Sequence, residues 1–272
     1  MVDSPEANLA HARGLVLRAI QKSARIICLP ELYRSLYFPQ KKKHDVQKYL
    51  ESIPGPSVAM FAPIAKKHKV VIIAPIFEKT KNGRTYNSAV VINEKGTVLP
   101  AYRKLHIPHD PGFYEQDYFE KGNMGYRVYH TSYATFAVLI CFDQWFPEAA
   151  RMARLAGAEI IFYPTAIGNL IGYIPPEGNW QNAWETIQRS HAIANSVAVA
   201  AVNRVGVEGK TKFWGGSFVA DAVGNVIRRA NNKETVLVET VDLGLNSYVS
   251  DGWGFLRNRR PDTYRLSVKK RI

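Results

Sequence analysis

The sequence predicts an α/β fold with mixed sheets. Runs that are apolar at nearly every position and stop at a proline, "RIICLP", "VVIIAP" and "AEIIFYP", read as strands buried on both faces. Between them lie segments whose apolar residues recur every three or four positions, the spacing of helices packed along one side. With 46% apolar residues in 272, no internal repeat and no low-complexity linker, residues 1–272 are expected to form a single domain.

The first element is a helix, with Leu9, Ala12, Leu15, Val16, Ala19 and Ile20 at helical spacing. "RIICLPEL" follows as a strand running into a loop. A second helix around "SVAMFAPIAKKHK" leads to the strand "VVIIAPIFE", and the hairpin turn "KNGR" joins it to "TYNSAVVIN". "EKG" turns the chain again toward "TVLPAYRK". Residues 105–124 are rich in Pro, Gly and aromatics without a period and read as a long loop, a kind more often functional than not. "YRVYHT" and "TFAVLIC" are strands. Pro147 opens a helix through "PEAARMARLAG", closed by glycine. "AEIIFYPTA" is a strand and "NWQNAWETIQRSHAIAN" a helix. "VAVAAVNRVG", "WGGSFVAD" and "ETVLVETVD" complete the strands. A fold with this rhythm normally opens on a strand, so the first strand is either missing from this chain or supplied in some other way.

Several classes are set aside. The net charge of +13 is scattered, clustering only at 40–45 and at "RNRRPDTYRLSVKKRI", without a motif that docks nucleic acid, so no nucleic-acid partner is expected. No apolar run approaches the roughly 18–20 residues of a membrane span, and no membrane partner is expected. The start lacks the basic and apolar regions of a secretory signal, and two cysteines make no disulfide framework, so the default compartment is the cytoplasm. His106, His109 and His191 lack metal-site spacing and no phosphate-loop pattern occurs, so neither metal nor cofactor is expected.

Three polar residues stand at the ends of apolar strands: Glu31 after "IICLP", Lys104 after "VLPAYR" and Cys141 after "FAVLI". Strand ends in α/β folds converge on one rim of a rigid sheet. Singly, Cys141 reads as a packed strand cysteine, Glu31 as a helix-start carboxylate and Lys104 as a surface lysine. Together they form a chemical set. A cysteine attacks as the thiolate, a glutamate can take its proton, and a lysine can favour the thiolate and steady an oxyanion. Cys28 reads as a buried apolar residue.

"LPELY", "YRKLHIP" and "LICFDQWFPEAAR" resemble, in order, the three catalytic motifs of the nitrilase (carbon–nitrogen hydrolase) superfamily, and the resemblance covers nearly the whole chain. It implies a four-layer α-β-β-α sandwich. It also implies Glu31 as general base, Lys104 as the oxyanion-stabilising lysine and Cys141 as nucleophile, with the backbone N–H of Phe142 helping to hold the oxyanion. A second catalytic glutamate from the following loop maps to Glu115, with Asp117 and Glu120 as near neighbours. Homodimers or larger homo-oligomers are implied as well.

"CFDQWFPEAAR" with "KLHIPHDPGFYEQDYF" is similar to the branch that hydrolyses N-carbamoylputrescine, in which tryptophan often follows the cysteine where Phe142 stands here. The implied partner is a small ureido or amide substrate. Asp143, Trp145, Glu177, Trp180 and Glu185 are candidates to meet a distal amine, although Asp143 can equally brace the cysteine loop, Trp145 pack and Glu185 face solvent. Related members hydrolyse β-ureidopropionate, ω-amides or nitriles, and Arg189 and Arg204 are candidates for a carboxylate, or for salt bridges. An inactive member acting as a binding or assembly protein is the alternative from a different class.

Overall fold

The computed structural model describes residues 1–264; the last eight residues of the C-terminal basic cluster lie outside the described residues. The chain opens on helix α1 (Pro5–Gln21), with Pro5 in its first turn and the Ser4 hydroxyl accepting the Ala7 N–H at 3.2 Å. It continues through β1 (Ile26–Cys28), α2 (Pro56–His68), β2 (Val71–Lys79), β3 (Thr85–Ile92) and β4 (Val98–Arg103). These strands form one sheet in the order β1-β2-β3-β4, with β1 parallel to β2 and the rest antiparallel.

Residues 105–124 are not featureless as the composition suggests. They hold a small hairpin of β5 (His109–Asp110) and β6 (Phe113–Tyr114) and a single 3-10 turn over Glu115–Asp117. Beyond them come β7 (Val128–His130), β8 (Thr135–Val138), α3 (Pro147–Leu155), β9 (Ile160–Pro164), β10 (Gly168–Leu170) and α4 (Trp180–Asn195). β11 (Ala198–Val202), β12 (Val205–Glu208), β13 (Thr211–Trp214), β14 (Phe218–Ala220), β15 (Val226–Arg229) and α5 (Leu243–Trp253) complete the order. A six-stranded mixed sheet runs β15-β14-β11-β9-β8-β7, and a small antiparallel sheet runs β10-β13-β12.

The layers follow from the period of two along each strand. In β2, Ile72 and Ala74 pack with Leu9, Ala12 and Val16 of α1 and Phe61 of α2. Val71 and Ile73 turn the other way, into a core shared with Phe136 and Val138 of β8 and Ile161 of β9. Ala149, Ala150 and Ala153 of α3 and Ala192 of α4 close the outer side of that core. The result is an α-β-β-α sandwich. Among the described residues no helix is long and apolar enough to cross a membrane.

One expected strand does not form. Residues 234–242, "ETVLVETVD", lie outside every strand, despite the β-branched apolar run at their centre. A ladder needs a neighbour, and what faces this segment is a groove of about 890 Å³ whose opposite wall is β1. Among the described residues β1 in turn pairs only with β2.

Candidate active site

Three loops at strand ends converge with the turn that follows β8. Glu31 sits three residues beyond β1, in a turn where Leu32 takes φ 49°, a left-handed conformation unusual for a leucine. Lys104 directly follows β4, and its N–H donates to the Asn87 carbonyl at 2.9 Å. Glu115 opens the 3-10 turn inside the long loop. Cys141 begins a second 3-10 turn, Cys141–Trp145, at φ 44°. Such backbone strain persists only where the surroundings enforce it.

The Lys104 ammonium is fully buried and donates to Glu31 Oε1 at 2.8 Å and Glu115 Oε2 at 2.7 Å. Two of its three N–H groups are thereby engaged and the third is available. Glu31 Oε1 also accepts from Asn87 Nδ2 at 2.7 Å, whereas Glu31 Oε2, equally buried, has no partner among the described residues. The Tyr37 hydroxyl donates to Glu115 Oε1 at 2.9 Å.

The electrostatics set protonation at rest. Burial alone would push Lys104 down, but the Glu115 and Glu31 carboxylates outweigh it and hold the ammonium protonated. Burial raises Glu115 to about 7; Lys104 opposes the rise and the charge of Glu31 adds to it. Burial also pushes the Cys141 thiol well up, Glu31 adds to that, Lys104 works against it and Glu115 adds again. Lys104 therefore favours the thiolate, as its chemistry suggested, but two carboxylates more than balance it. At rest the cysteine is a neutral thiol, and its attack requires a base at the moment of reaction.

The residues expected to bind substrate divide. Asp143 is fully buried and holds the cysteine turn: Oδ2 accepts the Ile140 N–H at 2.9 Å and the Tyr102 hydroxyl at 2.7 Å, and Oδ1 accepts the His106 N–H at 3.0 Å and pairs with His106 Nδ1 at 2.7 Å. Four partners on two oxygens leave it no part in meeting a distal amine; it is the brace. Phe142 is half-buried, its ring edge-on to Phe146 at 5.5 Å. Trp145 is half-buried against the cluster of Trp184, Trp214 and Phe218. Glu177 is exposed and accepts from Trp180 Nε1 at 2.9 Å.

Glu185 is bound to Arg229 and Arg189 rather than facing solvent alone. Arg189 also donates to the Gly224 carbonyl at 2.8 Å. Arg204 is buried, with both terminal nitrogens taken up by protein oxygens, and offers no carboxylate site. Sequence reading missed Asn87, Tyr37 and Tyr102. Asn87, a polar residue inside the apolar run of β3, was the one that carried a signal. Among the described residues no three His, Cys, Asp or Glu side chains are grouped to hold a metal.

The family model for carbon–nitrogen hydrolases matches residues 2–247. The chain belongs to the carbon–nitrogen hydrolase family. It is 40% identical to an N-carbamoylputrescine amidase of Solanum lycopersicum, over 97% of this chain and 90% of that one. A citrullinase of Francisella tularensis is 37% identical, over 98% of this chain and 95% of its own. A crystal structure of a carbon–nitrogen hydrolase from Helicobacter pylori G27 superposes with a TM-score of 0.91 at 40% identity, covering 99% of this chain and 95% of that one. This carbon–nitrogen hydrolase therefore has the nitrilase-type sandwich, with the buried Cys141 in the region where its four motif loops meet.

Proposed function

We propose that the protein is a cysteine-dependent amidohydrolase of terminal ureido groups, with N-carbamoylputrescine as its substrate. The observation that carries this reading is Glu31: one carboxylate oxygen is held by Lys104 and Asn87, and the other is buried, without a partner among the described residues, in a cluster whose charges act on Cys141. In the first half-reaction Glu31 takes the Cys141 proton and the sulfur attacks the ureido carbon. The third N–H of Lys104 and the Phe142 backbone N–H hold the oxyanion. The carbon–nitrogen bond then breaks and ammonia leaves with the proton from Glu31.

Glu31 next activates water against the carbamoyl-enzyme, returning the thiol and releasing a carbamic acid that breaks down to putrescine and carbon dioxide. Glu115, with a partner on each oxygen, fixes Lys104 and the substrate end of the site. Trp145 and Glu177 are proposed to meet the distal ammonium. The amidase relative supports the substrate choice, and citrulline, which also ends in a ureido group, is the natural competitor.

We also propose that the chain associates as a homodimer or larger assembly. Exposed Met152 and Leu155 of α3 and Tyr248 and Trp253 of α5 support that reading. The test of function is ammonia release from N-carbamoylputrescine, citrulline, β-ureidopropionate, an ω-amide and a nitrile, by wild type and Cys141→Ala. Wild type is expected to prefer the first, and Cys141→Ala to release none while remaining folded. Preference for another compound overturns the substrate assignment. A folded wild type inactive on all five overturns the hydrolase reading in favour of a binding role.

A further inference from the structure

We propose that Arg204 and Glu208 form a buried positioning pair that orients both glutamates of the site, Glu31 through its backbone and Glu115 through Tyr37. The proposal rests on the reading above, in which these glutamates do the work.

Arg204 lies in the turn between β11 and β12, and Glu208 is the last residue of β12. Both are buried, at 2% and 5% exposure, and neither touches the ammonium of Lys104. Arg204 Nη2 donates to the Glu31 carbonyl at 2.9 Å and the Leu32 carbonyl at 2.8 Å. Nη1 donates to the Ser35 carbonyl at 3.1 Å and to both oxygens of Glu208, at 2.9 and 2.8 Å. Three carbonyls of one short turn thus converge on one guanidinium. That turn contains the left-handed Leu32 immediately after Glu31, so the anchor bears on the strained peptide that aims the Glu31 side chain. The Phe213 ring, 5.4 Å from the guanidinium carbon, covers one face of it.

Glu208 extends the connection. Its Oε2 accepts the Tyr37 N–H at 2.7 Å, and the hydroxyl of the same tyrosine donates to Glu115 Oε1 at 2.9 Å. Glu115 Oε2 and Glu31 Oε1 meet at Lys104. The path closes on itself: Glu31 backbone, Arg204, Glu208, Tyr37, Glu115, Lys104 and back to the Glu31 side chain. Residues 31–37, 104–115 and 204–208, three stretches far apart in sequence, are held by it. An arginine suits this place because its planar fork addresses the Glu31 and Leu32 carbonyls with one nitrogen and the Ser35 carbonyl and Glu208 with the other, whereas a lysine presents all its donors from a single atom.

A structural salt bridge and a positioning pair predict different measurements. The test uses the full chain with Arg204→Lys, Glu208→Gln, Tyr37→Phe and the Arg204→Lys/Tyr37→Phe double variant. It records kcat and KM on N-carbamoylputrescine and, in a Cys28→Ser background, the pH midpoint of Cys141 alkylation by iodoacetamide. Misaiming the glutamates is expected to lower kcat about 10- to 100-fold with KM within about threefold. The alkylation midpoint is expected to move by about half a pH unit or more, because Glu31 and Glu115 both act on the thiol. The double variant is expected to lose much less than the product of the single losses, since both members break the same ring.

Folded single variants with kcat and midpoint unchanged, or losses that multiply, overturn the proposal. If Arg204→Lys does not fold, Glu208→Gln and Tyr37→Phe decide by the same criteria. Alkylation does not depend on the substrate. A wild type inactive on N-carbamoylputrescine with shifted midpoints in the variants sinks the substrate assignment and keeps the positioning pair.

Discussion

Glu31 accepts its two hydrogen bonds on one oxygen, and the proposed chemistry depends on the other. Glu31→Gln keeps an acceptor for Asn87 and Lys104 but removes the base and its charge. Turnover is expected to fall by about 10³-fold, within the range for losing a general base. The pH midpoint of Cys141 alkylation should fall, because the Glu31 charge is one of the influences raising the thiol. A lower midpoint with lost ammonia release is the expected pair of results; a raised midpoint counts against this electrostatic account. Glu115 carries a separate prediction for stability. Burial raises it from 4.5 to about 7, so the unfolded chain releases this proton first and the folded chain keeps it longer. Between those values the folded state binds more protons, and stability falls as pH rises, by at most roughly 1.4 kcal/mol per unit from this group. Glu115→Gln should flatten that decline in denaturant unfolding across the same window. An unchanged slope would mean that Glu115 ionises in the folded protein near its ordinary value.

The turn over Cys141–Trp145 shows what a short element needs in order to hold a strained nucleophile. Its leading residue is at φ 44°, and the turn is held from behind by Asp143, which gathers donors from Ile140, Tyr102 and His106. Phe146 stacks on the His106 ring at 3.7 Å and fixes the imidazole in turn. Asp143→Asn puts an amide N–H₂ where one oxygen now accepts two bonds. This should cost about 1–3 kcal/mol, read by denaturant unfolding, because buried donors lose their acceptor. Turnover should fall with it, and full stability in Asp143→Asn would remove the bracing role. At this scale the sequence was informative where chemistry coincides with an element boundary. Glu31, Lys104 and Cys141 each end an apolar run, and α3 carried its start signal in Pro147. Most of the supports were not legible. Tyr37, Arg204 and Glu208 act through contacts across as many as 173 positions, which no local spacing marks, and Asn87 alone carried a signal. Asp143 was legible as a residue and ambiguous in role, since only its four partners distinguish a brace from a ligand.

Across the whole molecule a groove of about 890 Å³ runs between β1 and residues 233–241, and it explains why one strand pattern read from the sequence did not become a strand. The Arg25 carbonyl and the Leu29 N–H both bond to β2, through Val71 and Ile73. In a parallel pair alternate residues point to one neighbour, so Ile27 faces β2 as well, while Ile26 and Cys28 present their peptide groups to the groove. On the far wall Val236, Leu237 and Val238 are half-buried and outside any ladder. The apolar run of 234–242 therefore supplied a wall of the groove without the pairing that defines a strand. Backbone groups on such an edge are satisfied by water, and this gives a direct measurement. In amide hydrogen exchange of the full chain, Ile26 and Cys28 should exchange far faster than Ile27 and Leu29, although all four lie in one stretch of backbone. The amides of Ile72 and Ile73 in β2, inside the sheet, should be the slowest of the set. Equal protection along residues 26–29 would mean that the groove is closed in solution and that 234–242 pairs with β1 after all.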